Sequence, residues 1–197
     1  MIPMSTIKEL VTKNRSWRGY NEERKVSRKE LLDMIDCARL SASSQNIQPL
    51  KYYIANKKEE TEAILACTTW AKDLPELHLP FPGTHPTAFI VMLLDKSIND
   101  NIARFQTDAG IAAQSILLSA TEKGLGGLII KNFRAADLVN VIKTPEHLQP
   151  MIVLAIGEPA ETIQIDVLEP GGSSIYYRTP DGEHHVPKRR LEDIVLN

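Results

Sequence analysis

A chain of 197 residues that is 43% hydrophobic and 24% charged, with a net charge of −2, has ordinary globular composition and enough length for one domain with a sizeable core. The near-neutral balance argues against a general binder of nucleic acid or membrane surfaces. The opening MIPMSTIKEL lacks the basic-then-apolar pattern of a secretory signal, so the cytoplasm is the expected location. Cys37 and Cys67 lie far apart, with no CxxC and no histidine at ligand spacing, which predicts reduced thiols rather than a metal site.

Ser5 is placed to cap a first helix running to about Lys13, with Ile7, Leu10 and Val11 as its apolar stripe. Arg15, Ser16, Trp17 and Arg18 follow. Two guanidinium forks beside a hydroxyl make a compact set of anion donors, although the same residues also suit a solvated basic turn. Ser27 and Glu30 form a capping box for a second helix ending near Leu40. The stretch Ser41–Pro49 is crowded with hydroxyls and amides and holds no charge. It offers the alternating donors and acceptors that the edge of a heterocycle requires, or serves as a polar connecting loop.

Lys51–Ala55 reads as a strand and Glu59–Trp70 as a helix. Between Asp73 and Pro86, four prolines and Gly83 predict an irregular loop, a candidate lid, whose His78 and His85 have no partners for a metal. Thr87–Leu94 is a continuous apolar run and so a buried central strand. Apolar residues from Ile102 to Ala120 recur at helical spacing, and Ala109–Thr121 carries no charge at all. A helix with so little solvated face predicts a partner, hence a dimer. Glu122, Lys123 and Gly124 close it, and Gly126–Ile130 reads as a short buried strand.

Arg134–Ile142 then forms a short helix and Met151–Ile156 another buried strand. In the tail, Thr179-Pro180-Asp181-Gly182 is a hairpin turn signal between Ile175–Arg178 and His184–Val186. Lys188, Arg189 and Arg190 follow it, and they and Arg15 and Arg18 can converge on one anion. Neither a GxGxxG fingerprint nor a phosphate loop is present, because Gly124–Gly127 ends a helix instead of opening one.

Taken in order, Arg15-Ser16-Trp17-Arg18, Ser43–Pro49, Asp108–Gln114, Gly124–Gly127 and Pro187–Ile194 resemble the FMN-dependent nitroreductase family. The resemblance implies an α+β fold: a central, mainly antiparallel sheet flanked by helices, in a single FMN-binding domain over 1–197. It also implies an intertwined homodimer in which about 160–197 crosses to extend the partner's sheet. By the same resemblance, Arg15, Ser16, Arg18, Lys188 and Arg190 would hold the phosphate and the pyrimidine edge of FMN, with Arg189 the alternative in the basic run. Ser43, Ser44, Asn46 and Gln48 would reach the FMN of the other chain, and the backbone of Ile129, Ile130 and Lys131 would line the flavin. Family members often carry Trp or Gly where this chain has Leu128–Ile130, Pro in place of Ala42 and Gly in place of Gln45.

The implied activity is an NAD(P)H-dependent FMN oxidoreductase. Hydride passes from NADH or NADPH to the flavin, the nicotinamide leaves, and a nitroaromatic, quinone or similar small acceptor takes the electrons in a ping-pong cycle. No protein acid, base, nucleophile or metal is then required, since the cofactor carries the chemistry. The same binding residues would also serve a flavin-binding sensor or carrier without turnover.

Overall fold

The computed structural model describes residues 6–71 and 77–197. Strand β5 (Leu148–Pro159) organises the main sheet. It pairs antiparallel with β3 (Ala88–Asp95), with β4 (Gly126–Ile130) and, at its last two residues, with β1 (Tyr20–Asn21). Strand β2 (Leu50–Ala55) lies beyond β3, again antiparallel. All eight residues of β3 are buried, which accounts for its unbroken apolar run.

Its alternate side chains feed two cores. Ala88, Ile90, Met92 and Leu94 pack with α2 (Arg28–Arg39) and α4 (Gln106–Glu122) on one face. Phe89, Val91 and Leu93 face the other way, into a core shared with residues of α3 (Lys58–Ala66) and α5 (Ala135–Ile142). The sheet is therefore the middle of three layers, an α+β fold with a mainly antiparallel sheet. Burying each of the larger of these side chains is worth roughly 1.5–3 kcal/mol before the entropy of ordering it.

Helix α1 (Ile7–Lys13) is capped by Thr6, with Glu9 completing a capping box; Ser5 lies outside the described residues. The Ser27–Glu30 box opens α2 as its sequence predicts. Helix α3 stops at Ala66, short of Trp70, because Thr68 bridges to Phe133 and Thr69 N donates to Asn132 O. Residues 102–105 form turns before α4, held by Asn99 and Asn101 side chains that accept from the backbone of Asn101 and Arg104. Of the proline-rich stretch from Asp73 to Pro86, residues 73–76 lie outside the described residues.

The prediction that α4 has almost no solvated face needs correction for the single chain: Thr107, Gly110, Ile111 and Gln114 are exposed along one side. That side is uncharged but open. The tail builds a second sheet in which β6 (Ile163–Leu168) runs parallel to β8 (His184–Arg189), and β7 (Tyr177–Arg178) pairs antiparallel with β8. The turn between β7 and β8 closes with Gly182 N donating to Thr179 O at 2.9 Å, as the Thr-Pro-Asp-Gly signal requires.

Two glycines in β4 set the geometry of the site. A Cβ on Gly126 would lie 2.3 Å from Trp17 Cδ1, and one on Gly127 would lie 2.5 Å from the carbonyl oxygen of Ala155. The Asn14–Tyr20 segment exploits this bare edge: Ser16 bridges to Gly127, and Trp17 N donates to Gly127 O at 3.2 Å. Gly127→Ala pushes against backbone that cannot yield cheaply, so it should destabilise the fold by about 3 kcal/mol in urea unfolding. Unchanged stability would show that this contact relaxes freely.

Candidate functional site: a basic cleft beside the β4 strand

The end of α1 delivers Arg15 and Arg18 to the rim of β4. Arg15 Nη2 donates to Val11 O at 2.7 Å, and Arg18 Nη1 donates to Ser16 O at 3.1 Å. The Arg18 guanidinium, on a residue only 8% exposed, lies 4.7 Å from the centroid of the Tyr176 ring. Tyr176 in turn stacks on His184 with ring centroids 5.3 Å apart. The cation–π contact offsets part of the cost of burying the charge.

Glu161, beside this cation, accepts from the backbone N of Arg18 and pairs with Arg178. That carboxylate is thus committed to partners other than the Arg18 guanidinium.

Beside this stack is a cleft of about 310 Å³ lined by Asn14, Arg15, Ser16, Arg18, Gln114, Leu117, Ile129, Tyr176, His184, Val186 and Lys188. The lining contains three cations and no carboxylate. The Nε atoms of Arg15 and Arg18 and Nδ1 of His184 are buried without a hydrogen-bond partner among the described residues. Unsatisfied buried donors carry a desolvation cost that a bound acceptor removes. Burial lowers the pKa of Arg15, whereas His184 is brought down to about 4 by burial and then by the neighbouring charges of Arg18, Arg178 and His185. The chemistry of this donor set is that of an anion site.

A second cleft, of about 360 Å³, adjoins the first through Arg18, Ile129 and Tyr176. Trp70 and the β4 residues Leu128, Ile129 and Ile130 line it, with Lys131 and Asn132 beyond. Ile129 stands exposed between the two clefts. The two volumes fall in the range of ordinary small-molecule sites.

The structure therefore brings together Arg15, Ser16, Arg18, Ile129 and Lys188, and places Ile130 and Lys131 next to them. Lys131 Nζ donates to Gln106 Oε1 at 2.7 Å. Arg190 does not line either cleft; its Nε and Nη2 donate to Asp193 at 3.0 and 3.1 Å. Ser43, Ser44, Asn46 and Gln48 lie apart, and Ser43 and Gln48 line a smaller pocket of about 160 Å³ with Asp108 and Ala112. Sequence reasoning missed Tyr176 and His184. The signal was present in the tail, where an aromatic and a histidine on either side of one hairpin turn are set up to stack across it.

Comparisons with known proteins place the fold in a family. A model of the Nitroreductase family matches residues 11–158. A protein of Methanothermobacter thermautotrophicus named "Putative NADH dehydrogenase/NAD(P)H nitroreductase" is 31% identical over 160 residues, covering 78% of this chain and 77% of that one. The fold is shared with an FMN-dependent nitroreductase from Clostridium difficile R20291, at 24% identity over 77% of this chain and 87% of that one, with a TM-score of 0.63. It is also shared with a nitroreductase family protein from Streptococcus pneumoniae TIGR4, at 17% identity over 98% of this chain and 100% of that one, with a TM-score of 0.66. The chain belongs to the nitroreductase family.

His184 makes the site acid-sensitive. Its proton is taken up near pH 6.5 in the unfolded chain but only near pH 4 in the folded one. The stability associated with its neutral form is whole above pH 6.5 and is lost as the pH falls toward 4. Chemical denaturation between pH 7.5 and 4.5 should show a smaller acid loss for His184→Gln than for the parent, and parallel curves would contradict this.

Proposed function

We propose that this protein is a flavin oxidoreductase that holds FMN across the two adjoining clefts and takes hydride from NADH or NADPH. It passes the electrons to nitroaromatic, quinone or similar acceptors in a ping-pong cycle. The observation that carries this reading is the carboxylate-free cleft of Arg15, Arg18 and Lys188 at the exposed rim of β4, in a nitroreductase-family chain. FMN-dependent chemistry is also what the name of the Clostridium difficile structure states, and NAD(P)H is named for the Methanothermobacter relative.

The residues fit such a cofactor. Arg15 and Lys188 supply charge-assisted donors for a phosphate, and the exposed Ser16 hydroxyl adds a neutral one. Arg18, set against the Tyr176 ring, stands where the two clefts meet and suits the polar edge of the flavin ring. The backbone of Ile129, Ile130 and Lys131 lines the ring end. When bound, FMN supplies the hydride and electron transfer. The protein's part is to bind and orient the phosphate and to present backbone and uncharged side chains at the ring. It also keeps carboxylates out of the first cleft, where one would repel the phosphate.

A homodimer completes this reading. Ile7, Val11 and Ile111 are exposed on α1 and α4, next to the uncharged side of α4, and a second copy would cover them. Ser43, Ser44, Asn46 and Gln48 would then reach the partner's flavin. Beyond Arg190, Leu191, Ile194 and Leu196 are strongly exposed, Leu196 completely, which favours a tail from about 160 to 197 that ends on the partner chain.

Purified protein loaded with FMN should be yellow and should bleach when NADH or NADPH is added without oxygen; colour that persists at saturating donor would overturn the reductase reading and favour a carrier. Arg15→Ala should weaken FMN binding by about 1.5–3 kcal/mol, roughly 10- to 150-fold, in a fluorescence titration. Equal affinity would show that the phosphate lies elsewhere. Deleting 188–197 should cost both flavin and dimer by absorbance and size-exclusion chromatography, and a yellow dimeric truncate would contradict the role given to the tail.

A further inference from the structure

The uncharged stretch from Ser41 to Pro49 is folded by two charged side chains that lie outside it. Asp108, in the first turn of α4 and only 4% exposed, accepts from Ser43 Oγ at 2.6 Å and from Ser44 N at 2.9 Å. Ser43 Oγ itself accepts from Gln48 N at 3.0 Å, so one hydrogen-bonded path runs from Asp108 through Ser43 to the far end of the loop. One turn earlier, Arg104 donates to Ser44 Oγ at 3.2 Å and to Gln45 Oε1 at 2.7 Å.

Between these anchors the backbone is left-handed at three residues that are not glycine: Gln45 (φ 50°), Asn46 (φ 57°) and Gln48 (φ 54°). L residues avoid this region, and a loop that visits it repeatedly persists because its surroundings fix it. The outcome is selective. The Ser43 hydroxyl is committed inward, while Gln45, Asn46 and Gln48 are exposed at the surface. Gln48 Nε2 also donates to Asn46 O and Oδ1, at 3.0 and 2.9 Å, which ties the two exposed amides into one unit.

A buried carboxylate is costly unless its acceptors are used. Asp108 lies beside Ala109 and Ala112 in the core and would be replaced at no loss by an apolar residue if packing were its only task. Its place near the N-terminal end of α4 suits a negative charge, and its hydrogen bonds go to the loop.

We propose that Asp108, assisted by Arg104, is the positioning residue that sets the 43–48 loop in its flavin-binding shape. The cofactor then meets the loop backbone and the Asn46 and Gln48 amides rather than the Ser43 hydroxyl. This rests on the FMN reading above and extends it to residues that do not touch the ligand.

The test is FMN titration by flavin fluorescence, well below the melting temperature of each variant, with size-exclusion chromatography alongside. Asp108→Ala should bind FMN at least about tenfold more weakly without a change in oligomeric state, the loss expected when a charged acceptor of two hydrogen bonds is removed. Asp108→Asn should return affinity to within about threefold of the parent, because its amide oxygen can accept from the same two donors. Asp108→Ala within threefold of the parent, or Asp108→Asn as weak as Asp108→Ala, would overturn the proposal. If Asp108→Ala does not fold, Arg104→Ala decides: a loss of at least threefold supports the role of the anchors, and unchanged affinity overturns it. Failure of the unsubstituted protein to bind FMN would instead sink the flavin reading on which the proposal stands.

Discussion

Trp17 occupies the space that a side chain on Gly126 would fill, and the arrangement of the cleft follows from that close approach. Strand β5 is held on one side by β3 and on the other by β4, which makes β4 a fixed rail. The bare backbone at Gly126–Gly127 lets residues 16 and 17 lie against that rail, with Tyr20 Oη donating to Trp17 O at 2.8 Å to lock the segment from behind. Arg15 and Ser16 are thereby set on one side of Trp17 and Arg18 on the other, at the junction of the two clefts. The tail then stacks on Arg18 through Tyr176 and His184 and brings Lys188 to the same space.

Charge is sorted as carefully as shape. Two acids of the tail region are paired with other residues: Glu161 with Arg178 and the backbone of Arg18, and Asp166 with His185 at 2.9 Å. What remains facing the cleft is positive, partly desolvated and short of acceptors. Such a site is poor for stability in the empty chain and good for a bound phosphate, since the same low-dielectric surroundings that penalise lone donors strengthen a charge-assisted contact. Helix α4 serves both ends of this design, with Gln114 in the basic cleft and Asp108 under the polar loop.

Much of this was legible in the chain. The buried strands β3 and β5, the Ser27–Glu30 capping box and the hairpin turn at Thr179–Gly182 each follow from a local pattern that tertiary contacts do not oppose. Arg15, Ser16, Arg18 and Lys188 were identifiable as anion donors, and the structure puts them in one cleft. The end of α3 was not legible, because Thr68 and Thr69 leave the helix for partners more than sixty residues away. Nor was the parallel pairing of β6 with β8, or the stacking of Tyr176 on Arg18, for these contacts depend on where the tail returns. In the single chain Arg190 is paired with Asp193, three residues on, a local contact that reading a basic run by alternation does not anticipate.

The central claim, that the cleft of Arg15, Arg18 and Lys188 is the phosphate end of a flavin site, is tested most directly by comparing FMN with riboflavin. The two share the ring and differ at the phosphate. Equilibrium titration of the protein with each at low salt should give FMN an affinity at least about 100-fold higher, the worth of two charge-assisted contacts, and raising the salt should narrow the gap. Equal affinities for the two flavins, or no binding of FMN, would contradict the assignment of this cleft.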